Sequence, residues 1–492
     1  MTRHVDVRSG LYVDSVRLMQ VSRAVAAVDG VAAALVAMGT ELNLGLLGGM
    51  GFDVPAAGPN DLVVAVEATG DSLAAALTVA ADELATTGGA GDGGLDGPAP
   101  TARTTGTALR RSPATLVLVS VPGPSAAAEA MDALVAGRHV LVFSDNVPVE
   151  QEIALKDEGA RRGLLVMGPD CGTAIVQGVA LGFANVVRPG GIGIVAASGT
   201  GAQQVSCLLD AAGLGISHLL GVGGRDLSEA VAGRATLQAM RLLAADAATE
   251  RIVVVSKPAA PDVARAVGEL AGQLDKPVHL ALLGPGHPDL TAATETVLDA
   301  AGVGVPVWPV RLPASAEPPR SGRLVGLFAG GTLAAEALGL VADLEGVRSN
   351  VGPGADLAPA EVLGGRPEGH LIVDFGDDAL TGGRAHPMID PSLRLEAVAR
   401  WAGDPATAVV LVDVVLGYAA DPDPAATLTT AIESVRADGR GPAVVVSLCG
   451  TPADPQGWSR QAELLAAAGA EVYLSNAAAA RRAVDLTSGM TS

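Results

Sequence analysis

The stretch Gly191–Gly213, GIGIVAASGTGAQQVSCLLDAAG, decides the reading of this chain. An apolar run ends at Ser198-Gly199-Thr200-Gly201, and an Ala/Leu-rich helix follows. The pattern returns at Arg323–Gly346, RLVGLFAGGTLAAEALGLVADLEG, with its turn at Gly330-Gly331-Thr332. Glycines let backbone amides approach a ligand closely. A helix N-terminus adds unpaired N–H groups and the positive end of the dipole. Two such ends facing one another would clamp a phosphate or another small anion, which makes phosphoryl or acyl-phosphate chemistry the first expectation.

Around these turns the chain alternates short apolar runs with helical segments. That pattern predicts α/β architecture with doubly wound parallel sheets, whose ligands sit at the C-terminal ends of the strands. Residues 1–85 read as a small N-terminal α/β region, with a helix from Ser15 to Val28. Residues 86–113, rich in Gly, Thr, Ala and Pro, read as a flexible linker. A Rossmann-like domain follows over 114–189. Two flavodoxin-like units cover 190–308 and 323–492, joined by a Pro-rich linker at 309–322. Because both units repeat strand, anion turn and helix, a duplication is the economical reading.

Composition narrows the function. The chain has 492 residues, 49% of them hydrophobic but only 2% aromatic, and a formal charge of −21. That excess of acid argues against nucleic acid as a partner, since phosphate backbones require basic patches. Three scattered cysteines give no disulfide framework and no zinc pattern, and the N-terminus has no apolar signal core. A cytoplasmic protein is expected, with no metal and no membrane span.

Several long stretches resemble one family: LLVMGPDCGTAI, GIGIVAASGTGAQ, GVGGRDLSEAV, LFAGGTLAAEA and IVDFGDDALTGGRAHPMIDP. They are similar to the FdrA proteins, relatives of succinyl-CoA synthetase. The resemblance implies a CoA-binding-type Rossmann domain followed by two ligase-type domains that pack against each other. The synthetase's phosphohistidine segment has no match here: after Ser256-Lys257-Pro258 the chain continues AAPDVARAVGEL, without histidine, and Gly286-His287-Pro288 departs from the motif. The ATP-grasp domain is also missing. FdrA proteins are implicated, with two partner subunits, in an oxamate carbamoyltransferase that interconverts oxalurate plus phosphate with oxamate plus carbamoyl phosphate. The resemblance therefore implies phosphate or carbamoyl phosphate as substrate, one or two different protein subunits as partners, and CoA as the alternative ligand. An acyl-CoA synthetase subunit and a non-catalytic scaffold subunit are the competing readings.

The candidate residues follow from these two lines. Ser198, Gly199, Thr200, Gly201, Gly330, Gly331 and Thr332 would hold phosphate. His386 would orient or protonate, or else fix its loop by bonding Asp377 or Asp390. Arg384 suits a carboxylate or phosphate, against a surface pair with Asp377 or Asp378. Arg225 would grip a carboxylate, against a pair with Asp226. Lys257 is the positive charge at its strand end. Asp145, Asn146, Pro169, Asp170, Gly223 and Gly224 stand at further strand ends, where substrate or cofactor binding and loop or cap duties compete. Cys171 reads as a small buried residue.

Overall fold

The computed structural model describes residues 1–11, 13, 15–85, 102–315, 318–352, 354–381, 385–436 and 441–487. Residues 1–102 with Thr381–Ala385 form one compact unit, and Arg103–Leu380 with His386–Ser492 form the other. No helix among the described residues is long and apolar enough to cross a membrane.

The first unit runs β1 (Thr2–Arg8), α1 (Ser15–Ala26), β2 (Val31–Met38), α2 (Glu41–Gly49), β3 (Leu62–Ala68) and α3 (Gly70–Ala85). Its antiparallel sheet has the order β1-β3-β2. Alternation along β3 serves both faces. Leu62, Val64 and Val66 pack with Leu18 and Val21 of α1 and Ala76 and Ala80 of α3, while Val63 and Ala65 meet Leu47 and Phe52. The sequence reading found this α/β region but not β1, a charged edge strand, nor the glycine-rich α2.

In the second unit, α4 (Thr105–Arg111) lies inside the span read as flexible linker; the rest of that linker up to residue 101 is outside the described residues. Then β4 (Leu116–Val119), α5 (Gly123–Val135), β5 (His139–Val142), α6 (Val149–Arg162) and β6 (Val166–Met167) build a three-stranded parallel sheet. The hairpin β7 (Thr173–Val176) and β8 (Val179–Gly182) leaves it for the next sheet. That sheet comprises β9 (Pro189–Ala197), α7 (Gly199–Ala211), β10 (Ile216–Gly221), α8 (Arg234–Ala245), β11 (Arg251–Ser256), α9 (Pro261–Ala271), β12 (Val278–Leu282) and α10 (Leu290–Ala300), in the order β12-β11-β9-β10-β7-β8. The hairpin pairs antiparallel with β10 and covers its open edge, so residues 173–182 pair with the ligase-type sheet, not with β4–β6.

The third sheet begins with β13 (Val310–Arg311), a piece of the expected linker that pairs with the last strand. It continues through β14 (Arg323–Phe328), α11 (Gly331–Leu340), β15 (Val347–Ser349), α12 (Pro359–Gly364), β16 (His370–Asp374), α13 (Asp378–Thr381), α14 (Ser392–Ala402), β17 (Thr407–Val415), α15 (Pro424–Arg436), β18 (Ala443–Cys449), α16 (Trp458–Ala467), β19 (Ala470–Tyr473) and α17 (Asn476–Thr487). Its order is β13-β19-β18-β17-β14-β16-β15. β9 stands between β10 and β11, and β14 stands between β16 and β17, so in each ligase-type sheet the strand order reverses direction there. That is the topological switch point at which α/β ligands bind.

The two ligase-type halves share one core. Side chains of α7, α10, α11 and α17 join both sheets in a single apolar cluster. Every residue of α7 from Gly201 to Asp210 is buried. An all-round buried helix must satisfy its polar side chains internally. Gln203 Nε2 donates to Asn185 Oδ1 at 3.0 Å and Gln204 Nε2 to the Leu474 carbonyl at 2.9 Å. Small Ala and Gly residues let these helices approach, which explains how so little aromatic surface suffices.

A buried ion network ties the Rossmann-like layer to the next sheet. Lys156 of α6 donates to Glu152 at 2.6 Å, to Asp226 at 2.7 Å and to the Val222 carbonyl at 3.0 Å. Asp226 also caps α8, accepting from Thr236 N at 2.8 Å and Thr236 Oγ1 at 2.6 Å. Removing one member of such a network leaves uncompensated buried charge. Lys156→Met should therefore destabilise the chain by about 3–5 kcal/mol, read as a lower denaturation midpoint in urea.

Buried Glu336 supplies a pH test. It accepts from Leu290 N at 2.6 Å and Asn476 Nδ2 at 2.7 Å, and burial raises its pKa to about 7. A carboxyl raised on folding adds stability below its unfolded pKa, and that contribution is lost as pH climbs through the folded one. Glu336→Gln should flatten the fall in melting temperature between about pH 5 and pH 8; an unchanged slope would contradict this.

Candidate functional site

The two glycine turns meet. Ser198 caps α7, its Oγ accepting from Gly201 N at 2.9 Å, and the same Oγ lies 2.6 Å from Thr332 Oγ1 on α11. The fit leaves no room for side chains. A Cβ on Gly330 would stand 2.8 Å from Thr200 Cγ2, and one on Gly201 2.4 Å from Ser198 Oγ. Two helix N-termini thus open at one place, as the resemblance implied.

The turns are not equivalent. In the second, Asp413 of β17 already takes two amides: Oδ1 accepts from Ala329 N at 2.7 Å and Oδ2 from Gly330 N at 2.8 Å. Arg394 balances that carboxylate from 2.6 Å. The Gly330 amide is therefore spent within the protein. Gly199 in the first turn is exposed, and a Cβ there would meet only Thr173 Oγ1, at 3.5 Å.

Around the turns stand charged groups from five strand ends. A Cβ on Gly331 would lie 2.4 Å from Asp374 Oδ2 and 3.0 Å from Lys257 Nζ, so both side chains face the second turn. Lys257 makes no hydrogen bond or ion pair among the described residues. Burial pushes Asp374 up to about 7, with Asp413 and Asp377 adding to the rise and Lys257 opposing it. Asp170 is exposed at the surface, yet the protein around it and Asp378 raise its carboxyl, against Lys257. Asp145 and Arg225 lie within electrostatic reach of both Asp170 and Asp378. Pro169 and Asp170 abut Gly223 and Gly224: a Cβ on Gly223, whose φ is +91°, would stand 2.4 Å from the Pro169 carbonyl oxygen. Asn146, exposed and at φ 53°, belongs to the same rim.

His386 approaches the site through Gly376, where a Cβ would lie 2.8 Å from His386 Nε2 and 3.1 Å from Asp374 Oδ1. Burial lowers its pKa to about 4, so the imidazole is neutral near pH 7. Its Nδ1 accepts from Met388 N at 3.3 Å rather than serving Asp377 or Asp390. Arg384 lies outside the described residues. Arg225 does not pair with Asp226; it donates to the Val147 carbonyl at 2.7 Å and pairs with Glu152 at 2.9 Å. Cys171 is buried, and that burial pushes its thiol up to about 12. Sequence reasoning missed Asp374, Asp378 and Asp413. The acids closing VDFGDD and the lone aspartate inside VVLVDVV were the available signals.

Comparison with known proteins agrees with this architecture. A family model described as CoA-ligase matches residues 327–486. A second, described as the AllF heavy metal-associated domain, matches residues 1–98. A thiolate metal centre does not fit there, because all three cysteines lie beyond residue 98, and no three His, Cys, Asp or Glu among the described residues are grouped to hold an ion. The chain is 37% identical to YahF of Escherichia coli K12 over 95% of each. It is 31% identical to the succinate–CoA ligase α subunit 2 of Archaeoglobus fulgidus over 35% of this chain, spanning 59% of that subunit's length. The malate–CoA ligase α subunit of Methylorubrum extorquens is 27% identical over 36% of this chain and 62% of its own. Matched to YahF across nearly its whole length, and carrying a CoA-ligase domain, this chain belongs to the YahF family of succinyl-CoA synthetase-like proteins.

Proposed function

We propose that the chain is the acyl-transfer component of a CoA-ligase-type enzyme that works through an acyl phosphate. The observation that carries this is the 2.6 Å contact between Ser198 and Thr332, which brings two helix N-termini together beside Lys257. Phosphate would rest on the amides of Gly199 and Thr200 and on those of Gly331 and Thr332, with Lys257 offsetting its charge. The nucleophile, a thiol of the CoA class, attacks the acyl carbon, and phosphate leaves onto the amides. The Rossmann-like strand ends at Asp145, Asn146, Pro169 and Asp170 would receive the nucleophile's carrier.

A second reading, carbamoyl transfer to oxamate as in the FdrA proteins, is favoured by one specific observation. After Lys257 the chain runs directly into α9, where the sequence has no histidine. His386 beside the clamp is held neutral. A reaction whose only phosphate step is departure from a carbamoyl or acyl group needs no phosphohistidine and no nucleotide. In both readings the active unit is completed by a different subunit.

The deciding assay uses the chain co-expressed with its genomic neighbours. Phosphate release is followed from succinyl or acetyl phosphate with CoA, and from carbamoyl phosphate with oxamate. CoA-dependent release supports the first reading; oxamate-dependent release supports the second. Gly199→Glu places a carboxylate at the open turn without a steric clash. It should leave the melting temperature nearly unchanged and lower kcat/KM by at least about 100-fold. Gly331→Glu is the poorer probe, since its side chain collides with Asp374.

A further inference from the structure

Asp374 is 7% exposed, and its Oδ1 accepts from Gly376 N at 2.8 Å. Among the described residues Oδ2 takes no hydrogen bond, yet it faces Gly331 at the mouth of α11. Here it stands where a second anion is to be held, and two negative charges cannot share so enclosed a place. The groups facing Asp374 are Lys257 from the end of β11, Asp413 from β17, Asp377 after β16 and His386 before α14. His386 is neutral, and Asp413 is balanced by Arg394. Among the described residues, Lys257 is the cation that faces Asp374 at the second turn.

We propose that the site takes up its anion together with one proton, which settles on Asp374 Oδ2, so that the neutral acid donates a hydrogen bond to the bound phosphate. This rests on the anion-site reading above and adds to it a proton that the helix ends alone would not require. No covalent bond changes; one proton passes from solvent to the carboxylate as the anion arrives. The resting carboxyl already lies near its midpoint at neutral pH, so uptake costs little there and progressively more in alkali. The arrangement also biases against carboxylate ligands that bring no acceptor within reach of Oδ2.

The test uses the full chain, titrated calorimetrically with sulfate, which has no proton to exchange near neutral pH, and in parallel with inorganic phosphate. Two buffers of different ionisation enthalpy report the proton count. At about pH 8 roughly one proton should enter per sulfate, and sulfate affinity should weaken about tenfold per pH unit in the alkaline range. Asp374→Asn keeps the Oδ1 contact. It should abolish the uptake, flatten the pH dependence and bind sulfate more tightly than the unaltered chain at about pH 8.5. Sulfate binding without proton uptake overturns the inference. So does uptake that persists in Asp374→Asn and disappears in Asp170→Asn. If neither anion binds at any pH, the anion-site reading falls and the inference with it. Should Asp374→Asn fail to fold, the proton count of the unaltered chain still decides.

Discussion

Two helices that end against each other put like charges together. Each N-terminus carries about half a positive elementary charge, and α7 and α11 bring theirs to the same spot, hydroxyl to hydroxyl. This convergence is unfavourable unless something negative stands near it. The protein supplies Asp413 inside the second turn and Asp374 at its mouth, then trims the excess with Arg394 and Lys257. Much of the surrounding design follows: the glycines that permit contact, the full burial of α7, and the packing of two sheets around four shared helices.

The two halves share a strand–turn–helix plan, and the differences at their turns are chemical. The first turn is capped by its own Ser198 and keeps an exposed glycine. The second lacks a side-chain cap and spends the Ala329 and Gly330 amides on Asp413. One half is open to a ligand while the other is largely satisfied from within.

The α/β class, the paired ligase-type domains and both turns were legible because glycine, hydroxyl and apolar periodicity are local signals. Residues 173–182 were harder. Nothing in TAIVQGVALG says that its hairpin will serve β10 rather than its sequence neighbours, since edge pairing is decided by which strand lies exposed in the assembled sheet. The acids that set the electrostatics were also hidden. Asp413 reads as an interruption in an apolar strand until the turn it serves, 83 residues earlier, is placed beside it. Arg225 pairs with Glu152, which comes from a different layer. Pairings of that range leave no trace in spacing.

Joining both halves of the clamp in one chain has a consequence for assembly. A site divided between separate polypeptides dissolves on dilution. Here Ser198 and Thr332 are tethered through a single continuous segment, and their encounter is governed by an effective concentration rather than by how much protein is present. The geometry of the two turns is therefore the same at every protein concentration.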